Sequence, residues 1–185
     1  FIPNRVFEFI KLQIAVDKLP VIIVGDGAGV VYSYLGKSHQ TLEDLAIMGS
    51  LPQITSLSPA SDSEMLKATL WSLNQDSPVY IRMGKSDGVF DGAAEGPTPY
   101  PVRVHESIGN TKSAIVAHGA MVSEVLACFP LLENTNLDVW SCPTVFPVPE
   151  VLLDVMRRDY LRVFVAEEHG IRGGMASELL IQLAG

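Results

Sequence analysis

The chain has 185 residues, room for one large domain or two small ones at roughly 100–200 residues per domain. It is 48% hydrophobic and 18% charged, a globular composition that excludes a disordered or fibrous polypeptide. With 13 basic and 21 acidic residues the net charge is −8, which repels phosphate backbones and argues against a nucleic-acid partner. No apolar run approaches the roughly 18 residues of a spanning helix, so no membrane segment is expected. Two cysteines, Cys128 and Cys142, make neither a disulfide framework nor a zinc site, and a reduced, cytoplasmic setting is the expectation. The chain opens on Phe1 rather than Met and shows no charged-then-apolar leader, so it is expected to be a piece of something longer.

Short β-rich runs alternate with helix-period stretches. Residues 4–17 put Val6, Phe9, Ile10 and Ile14 on one face of an amphipathic helix. Val21-Ile22-Ile23-Val24 is an apolar strand without polar alternation, as expected where helices cover both faces of a sheet. After a glycine-rich connection over residues 25–37, Thr41 is placed to cap a helix. Its inner stripe would be Leu42, Leu45, Ala46 and Met48, and Gly49 its left-handed stop. Ile54 to Leu57 reads as a strand, and Ser61-Asp62-Ser63-Glu64 as a capping box. The helix it opens would turn Leu66, Leu70 and Leu73 inward. Val79 to Met83 is another strand.

Residues 84–101 are rich in glycine and proline, and we read 86–101 as a linker between residues 1–85 and 102–185. Beyond it, strands are expected at Ala114–Ala117, Leu137–Trp140 and Leu161–Ala166. Helices are expected around Val122–Phe129, over Pro149–Arg158 and over Met175–Leu183. The fold class is therefore α/β: two three-layer α/β/α modules with mainly parallel sheets. About three strands each is short of the usual five or six, so both modules are expected to be incomplete.

The four histidines, His39, His105, His118 and His169, lie far apart and show no metal-binding spacing. Gly25-Asp26-Gly27 resembles the start of a thiamine diphosphate magnesium motif, but no Asn or Asp occurs over residues 50–58, and a tight turn is the better reading. Gly170, Gly173 and Gly174 miss the dinucleotide pattern and read as a close-packed turn. His39, after Gly36-Lys37-Ser38 and near a helix start, suits a phosphate or an enolate oxygen; a solvated or capping histidine is the other reading. Arg82 closes an apolar strand at the end that faces the ligand crevice of an open α/β sheet. It is either an anion clamp or the partner of Asp76 or Asp87.

The run from Gly36-Lys37-Ser38-His39-Gln40-Thr41 through Met48, then Leu51-Pro52, Ser58-Pro59-Ala60-Ser61-Asp62 and Pro78 to Lys85, resembles the pyrimidine-binding domain of transketolase-like enzymes. Val165 to His169 followed by Gly173 to Glu178 resembles the transketolase C-terminal domain. The resemblance implies a thiamine diphosphate enzyme that moves a two-carbon unit from a ketose to an aldose. It implies a cofactor held between this pyrimidine domain and a diphosphate domain or subunit, in a homodimer or heterotetramer. The activating glutamate and the magnesium ligands belong to parts this chain lacks, so it is expected to be inactive alone. By resemblance, His39 is the catalytic and substrate-binding histidine at the site mouth, Arg82 binds the small-molecule substrate's phosphate, and Phe1 packs on the cofactor's pyrimidine ring. Glu167, Glu168 and His169 are expected in packing and interface roles. Leu35 replaces a sugar-reading Asp and Gly27 a second histidine, departures that favour a changed substrate or a non-catalytic assembly subunit. Deoxyxylulose-phosphate synthases and 2-oxoacid dehydrogenase β-subunits share the same two-domain order.

Overall fold

Strands with apolar residues on both faces pair in parallel only if helices cover them, and that requirement organises the chain twice. The structure is a computed structural model, and it describes residues 2–85, 99–108, 112–131 and 136–184. The first sheet has the order β1 (Ile22–Asp26), β3 (Val79–Met83), β2 (Thr55–Leu57), β7 (Thr144–Phe146). β1, β3 and β2 are parallel, with Ile23 opposite Tyr80 and Ser56 opposite the same Tyr80, while β7 joins β2 antiparallel. The second sheet has the order β4 (Val102–His105), β6 (Asp138–Ser141), β5 (Ser113–Ala117), β8 (Arg162–Ala166); β6, β5 and β8 are parallel and β4 runs the other way along one edge. Two mainly parallel sheets flanked by helices are thus present. Among the described residues each has four strands, one of them an antiparallel addition that the sequence did not announce.

Helices α1 (Phe7–Ile10, continued by a π-helical stretch over Lys11–Ala15) and α2 (Asp44–Gly49) cover one face of the first sheet. Helix α3 (Asp62–Ser72) covers the other face, over Leu57, Val79 and Ile81. In the second module, α4 (Met121–Cys128) packs on β5, β6 and β8, and α5 (Glu150–Asp159) packs on α6 (Met175–Ala184). One continuous apolar core joins the modules: Ile10, Leu45 and Met48 from the first half, with Val145, Leu152, Met156 and Met175 from the second.

Several local expectations change. α1 starts at Phe7 and leaves Phe9 61% exposed, while Ile10 and Ala15 are buried. Its i→i+5 hydrogen bonds, such as Val16 N to Lys11 O, rotate the inward face away from the regular helical stripe. α2 begins at Asp44, later than a Thr41 cap requires; Thr41 instead exchanges backbone hydrogen bonds with Gly29. Leu42 is exposed, and Gly49 ends the helix without a left-handed residue. In α3 the Ser61 hydroxyl accepts the Glu64 amide at 3.2 Å, as a capping box requires. The helix nevertheless turns the other way: Leu66, Leu70 and Leu73 face outward and Ala68 is buried, with Met65 and Trp71 beside it. A small residue at the contact lets the helix sit close on the sheet, which a leucine there would prevent.

Candidate functional site

In an open α/β sheet the carboxyl ends of the strands face the ligand crevice. In this chain the carboxyl ends of the second sheet face the first module, and the space is filled by polar side chains. After β5, His118 is fully buried, with Nδ1 2.9 Å from the Ser58 hydroxyl and Nε2 3.5 Å from Glu167 Oε2. Gly119 N donates to Ser58 O, and Ser58 N to Pro143 O. At the end of β6 the Ser141 hydroxyl donates to Glu64 Oε1 at 2.7 Å, across the seam. After β8, Glu167 accepts the amides of Met175 and Ala176 at the start of α6, at 2.8 and 3.1 Å.

The charges are set by burial and by these bonds. Burial pushes the His118 imidazole below its ordinary range, against the opposing pull of Glu167. Burial alone would raise the Glu167 carboxyl, but hydrogen bonds from His118 and the Ala176 and Met175 amides outweigh it and hold that carboxyl below the usual range. Burial raises the Glu64 carboxyl in spite of its bonds to Ser141 and the Ala60 amide. Burial also raises the thiol of Cys142 and the phenol of Tyr80.

Arg82 lies in this seam. It is 3% exposed; its Nε donates to Asp44 Oδ2 at 2.8 Å and its Nη2 to the backbone oxygen of Glu168 at 2.8 Å. Tyr80 donates its hydroxyl to the same Asp44 oxygen at 2.9 Å. Arg82, anticipated as a strand-end clamp, thus holds Asp44, a carboxylate of the chain itself, rather than Asp76; Asp87, the other partner expected for it, lies outside the described residues. His39 is elsewhere, on the exposed connection between β1 and α2, in a 3-10 turn over Lys37–His39 with Ser38 Oγ 3.0 Å from its Nδ1. His39 stands on an exposed loop, whereas Arg82 is buried in the seam. Phe1 lies outside the described residues.

Two further residues stand at the rim. Gly27, at φ +78°, leaves room that the Tyr32 ring fills: a Cβ on Gly27 would lie 2.5 Å from that ring. Lys85, just beyond β3, hydrogen-bonds the Tyr32 hydroxyl and lies 4.6 Å from the ring centroid. That hydrogen bond keeps the Lys85 ammonium above its usual range. The signal in the sequence was the glycine at 27 where the resemblance expects a second histidine; nothing in the sequence said that Tyr32 would pack there.

Among the described residues no group of three or more His, Cys, Asp and Glu side chains converges as a metal site would. Gly25 faces the Tyr80 ring, with a Cβ position only 2.5 Å from the hydroxyl, so the glycines at the end of β1 enclose the chain's own aromatics. No helix among the described residues is long and apolar enough to cross a membrane.

Residues 1–89 match the family model of the transketolase pyrimidine-binding domain, and residues 103–185 that of the transketolase C-terminal domain. The chain belongs to the transketolase family. Among curated relatives, 1-deoxy-D-xylulose-5-phosphate synthase of Nitratidesulfovibrio vulgaris (strain DP4) is 32% identical over 98% of this chain and 29% of that protein. The same-named protein of Clostridium kluyveri (strain NBRC 12016) is 30% identical over 96% of this chain and 28% of its own length. The chain therefore spans under a third of these relatives. A solved structure described as a split gene transketolase, an inactive beta4 tetramer, superposes with a TM-score of 0.83 and 29% identity over 98% of this chain and 59% of that one. A transketolase from Campylobacter jejuni shares the fold alone, with a TM-score of 0.59 and 17% identity over 88% of this chain and 29% of its own.

Proposed function

We propose that the chain supplies the pyrimidine-binding and C-terminal domains of a thiamine diphosphate enzyme that transfers a two-carbon ketol unit between sugar phosphates or related carbonyl compounds. The observation that carries this reading is the match of both halves, in family order, to transketolase domains. Thiamine diphosphate, when bound, supplies the carbon nucleophile for such chemistry. A diphosphate-binding domain or subunit outside the described residues completes the site and brings the magnesium ligands, in a homodimer or heterotetramer. The tetramer described for the split-gene relative supports such an assembly. The isolated chain is inactive, and its setting is the cytoplasm.

Within that assembly His39 meets the substrate at the exposed loop, and Phe1 packs on the cofactor's pyrimidine ring. Arg82 supports substrate phosphate binding from beneath, by fixing Asp44 at the start of α2 and Glu168 across the seam. A second reading, a deoxyxylulose-phosphate synthase, is favoured by the names of the relatives. The experiment is a donor panel on the chain assembled with its diphosphate-binding portion, using a ketose phosphate and pyruvate in turn. Turnover of the ketose phosphate supports ketol transfer, and turnover of pyruvate alone selects the second reading. If neither donor turns over, or if His39→Ala leaves the turnover intact, a non-catalytic assembly subunit is the better description; a loss of tenfold or more, about 1.4 kcal/mol, excludes it.

A further inference from the structure

The connection between β1 and α2 forms a closed loop. Gly29 and Thr41 exchange N–H···O bonds of 3.0 Å in both directions, which draws the two ends together into a neck and leaves residues 33–39, His39 among them, exposed at the tip. A loop of this kind has few apolar contacts of its own, so its geometry depends on what holds Tyr32, packed on Gly27 and bonded to Lys85, and on whatever grips the neck. The grip comes from the other module. Glu168, just after β8, accepts the Val30 amide on its Oε1 at 3.0 Å. Two residues later, Gly170 N donates to Leu42 O at 2.7 Å. One turn of the C-terminal domain therefore holds the incoming and the outgoing strand of the neck.

The same turn is anchored from below and from the side. Arg82 Nη2 donates to the backbone oxygen of Glu168, and His169 Nε2 accepts the Ala46 amide at 3.4 Å. Helix α2 has no side-chain cap of its own, so this amide is covered across the seam. Gly29 is at φ +73°, and its α-hydrogens face the Glu168 side chain: a Cβ there would stand 2.3 Å from the carboxyl carbon. Glycine is required at that point for both reasons, and the close approach fixes where the carboxylate sits.

We propose that Glu168 is a positioning residue of the active site: it sets the His39 loop by holding the Val30 amide, so the C-terminal domain takes part in substrate binding without touching substrate. This rests on the proposed role of His39. An ionised acceptor bonds an amide more strongly than a neutral one, and a glutamine at 168 keeps an acceptor oxygen at the same reach.

The test uses the assembled holoenzyme and two readouts. Amide hydrogen exchange over residues 31–40 is expected to speed up at least tenfold in Glu168→Ala, with β3 and α5 unchanged, and to return most of the way in Glu168→Gln. KM for whichever of the two donors turns over is expected to rise at least tenfold in Glu168→Ala, with kcat within threefold, and again to recover in Glu168→Gln. Unchanged loop exchange, or faster exchange spread through β3, would overturn the proposal. So would a KM that responds to His39→Ala but not to Glu168→Ala. If the loop loosens and neither variant moves KM, the grip stands and the functional reading of the loop falls. Should no donor turn over, exchange alone decides the grip.

Discussion

The seam between the two modules and the outer face of α3 are made of opposite materials. The seam buries Asp44, Glu64, Arg82 and His118, each at most 3% exposed; Glu64, Arg82 and His118 bond across the two halves of the chain, to Ser141, Glu168 O and Ser58, and Arg82 also holds Asp44 within the first. The outer face of α3 leaves Leu66, Leu70 and Leu73 more than half exposed. Glu64, Arg82 and His118 are tolerated there because each finds a partner across the seam, and Asp44 because Arg82 and Tyr80 both donate to it. Exposed leucines are tolerated because a helix needs only one stripe covered, and Ala68 with its neighbours already supplies it. Apolar periodicity thus reports that a helix has a stripe, while the size of the residues in contact decides which stripe turns inward.

The sharpest way to break this comparison is at Arg82. Arg82→Met leaves the fully buried Asp44 carboxylate with the Tyr80 hydroxyl alone and its Oδ1 still without a partner, and removing one member of such a pair costs about 3–5 kcal/mol. Urea unfolding of the holoenzyme chain would measure it; a loss under about 1 kcal/mol would mean the pair does not hold the seam. Next in size is Gly29→Ala, where left-handed backbone alone costs about 1–2 kcal/mol before the Glu168 carboxylate is displaced. Gly84→Ala makes the matching control, since its φ is not left-handed and a Cβ would meet Ala120 at an ordinary 3.6 Å. Equal losses at the two positions would remove the argument for a tight approach at Gly29.

Acidification tests the seam without mutation. His118 and Glu167 both bind protons less readily folded than unfolded, so the stability they contribute is present above their ordinary values of 6.5 and 4.5 and declines as pH falls below each. Glu64, raised by burial, acts in the opposite sense: its contribution is present below 4.5 and fades as pH rises through its folded value. The thermal midpoint is expected to fall from pH 6.5 downward, and His118→Gln is expected to flatten that first decline. A His118→Gln profile parallel to wild type would exclude the histidine as its source. Smallest of all, Leu70→Gln on the outer face of α3 should change stability by no more than about 0.5 kcal/mol. Ala68→Leu, on the face in contact, should cost about 1–3 kcal/mol through overpacking. A reversal of the two would mean the helix is turned as its leucines suggest.

Most of the architecture was legible because parallel strands are short apolar runs, as at the largely buried β3 and β5, and at β1 and β8, which keep an apolar run although they lie at sheet edges. Helix α5 was legible from Pro149 at its start and the buried Leu152, Leu153 and Met156. β4 and β7 were not: β4 carries Arg103 and His105 along an edge, and β7 is three residues between Pro143 and Pro147. Both lie at sheet edges, where a strand does not need apolar residues on both faces. At the site, the sequence pointed to His39 and Arg82 but not to what they touch. Asp44 is 38 residues from Arg82, and Glu168 is 86. No periodicity encodes a contact of that span, and the Thr41 cap was misplaced because the cover for α2 comes from His169, in the other module.

Strand β7 carries one more implication. Its partner β2 ends at residue 57, yet β7 is not available until residue 146 has left the ribosome. The first sheet therefore waits, with one side of β2 unpaired, until β7 has been made. A gene division within residues 86–101 would leave that edge open on one product and a stray strand on the other. The two halves, though each has the look of a module, share the first sheet between them.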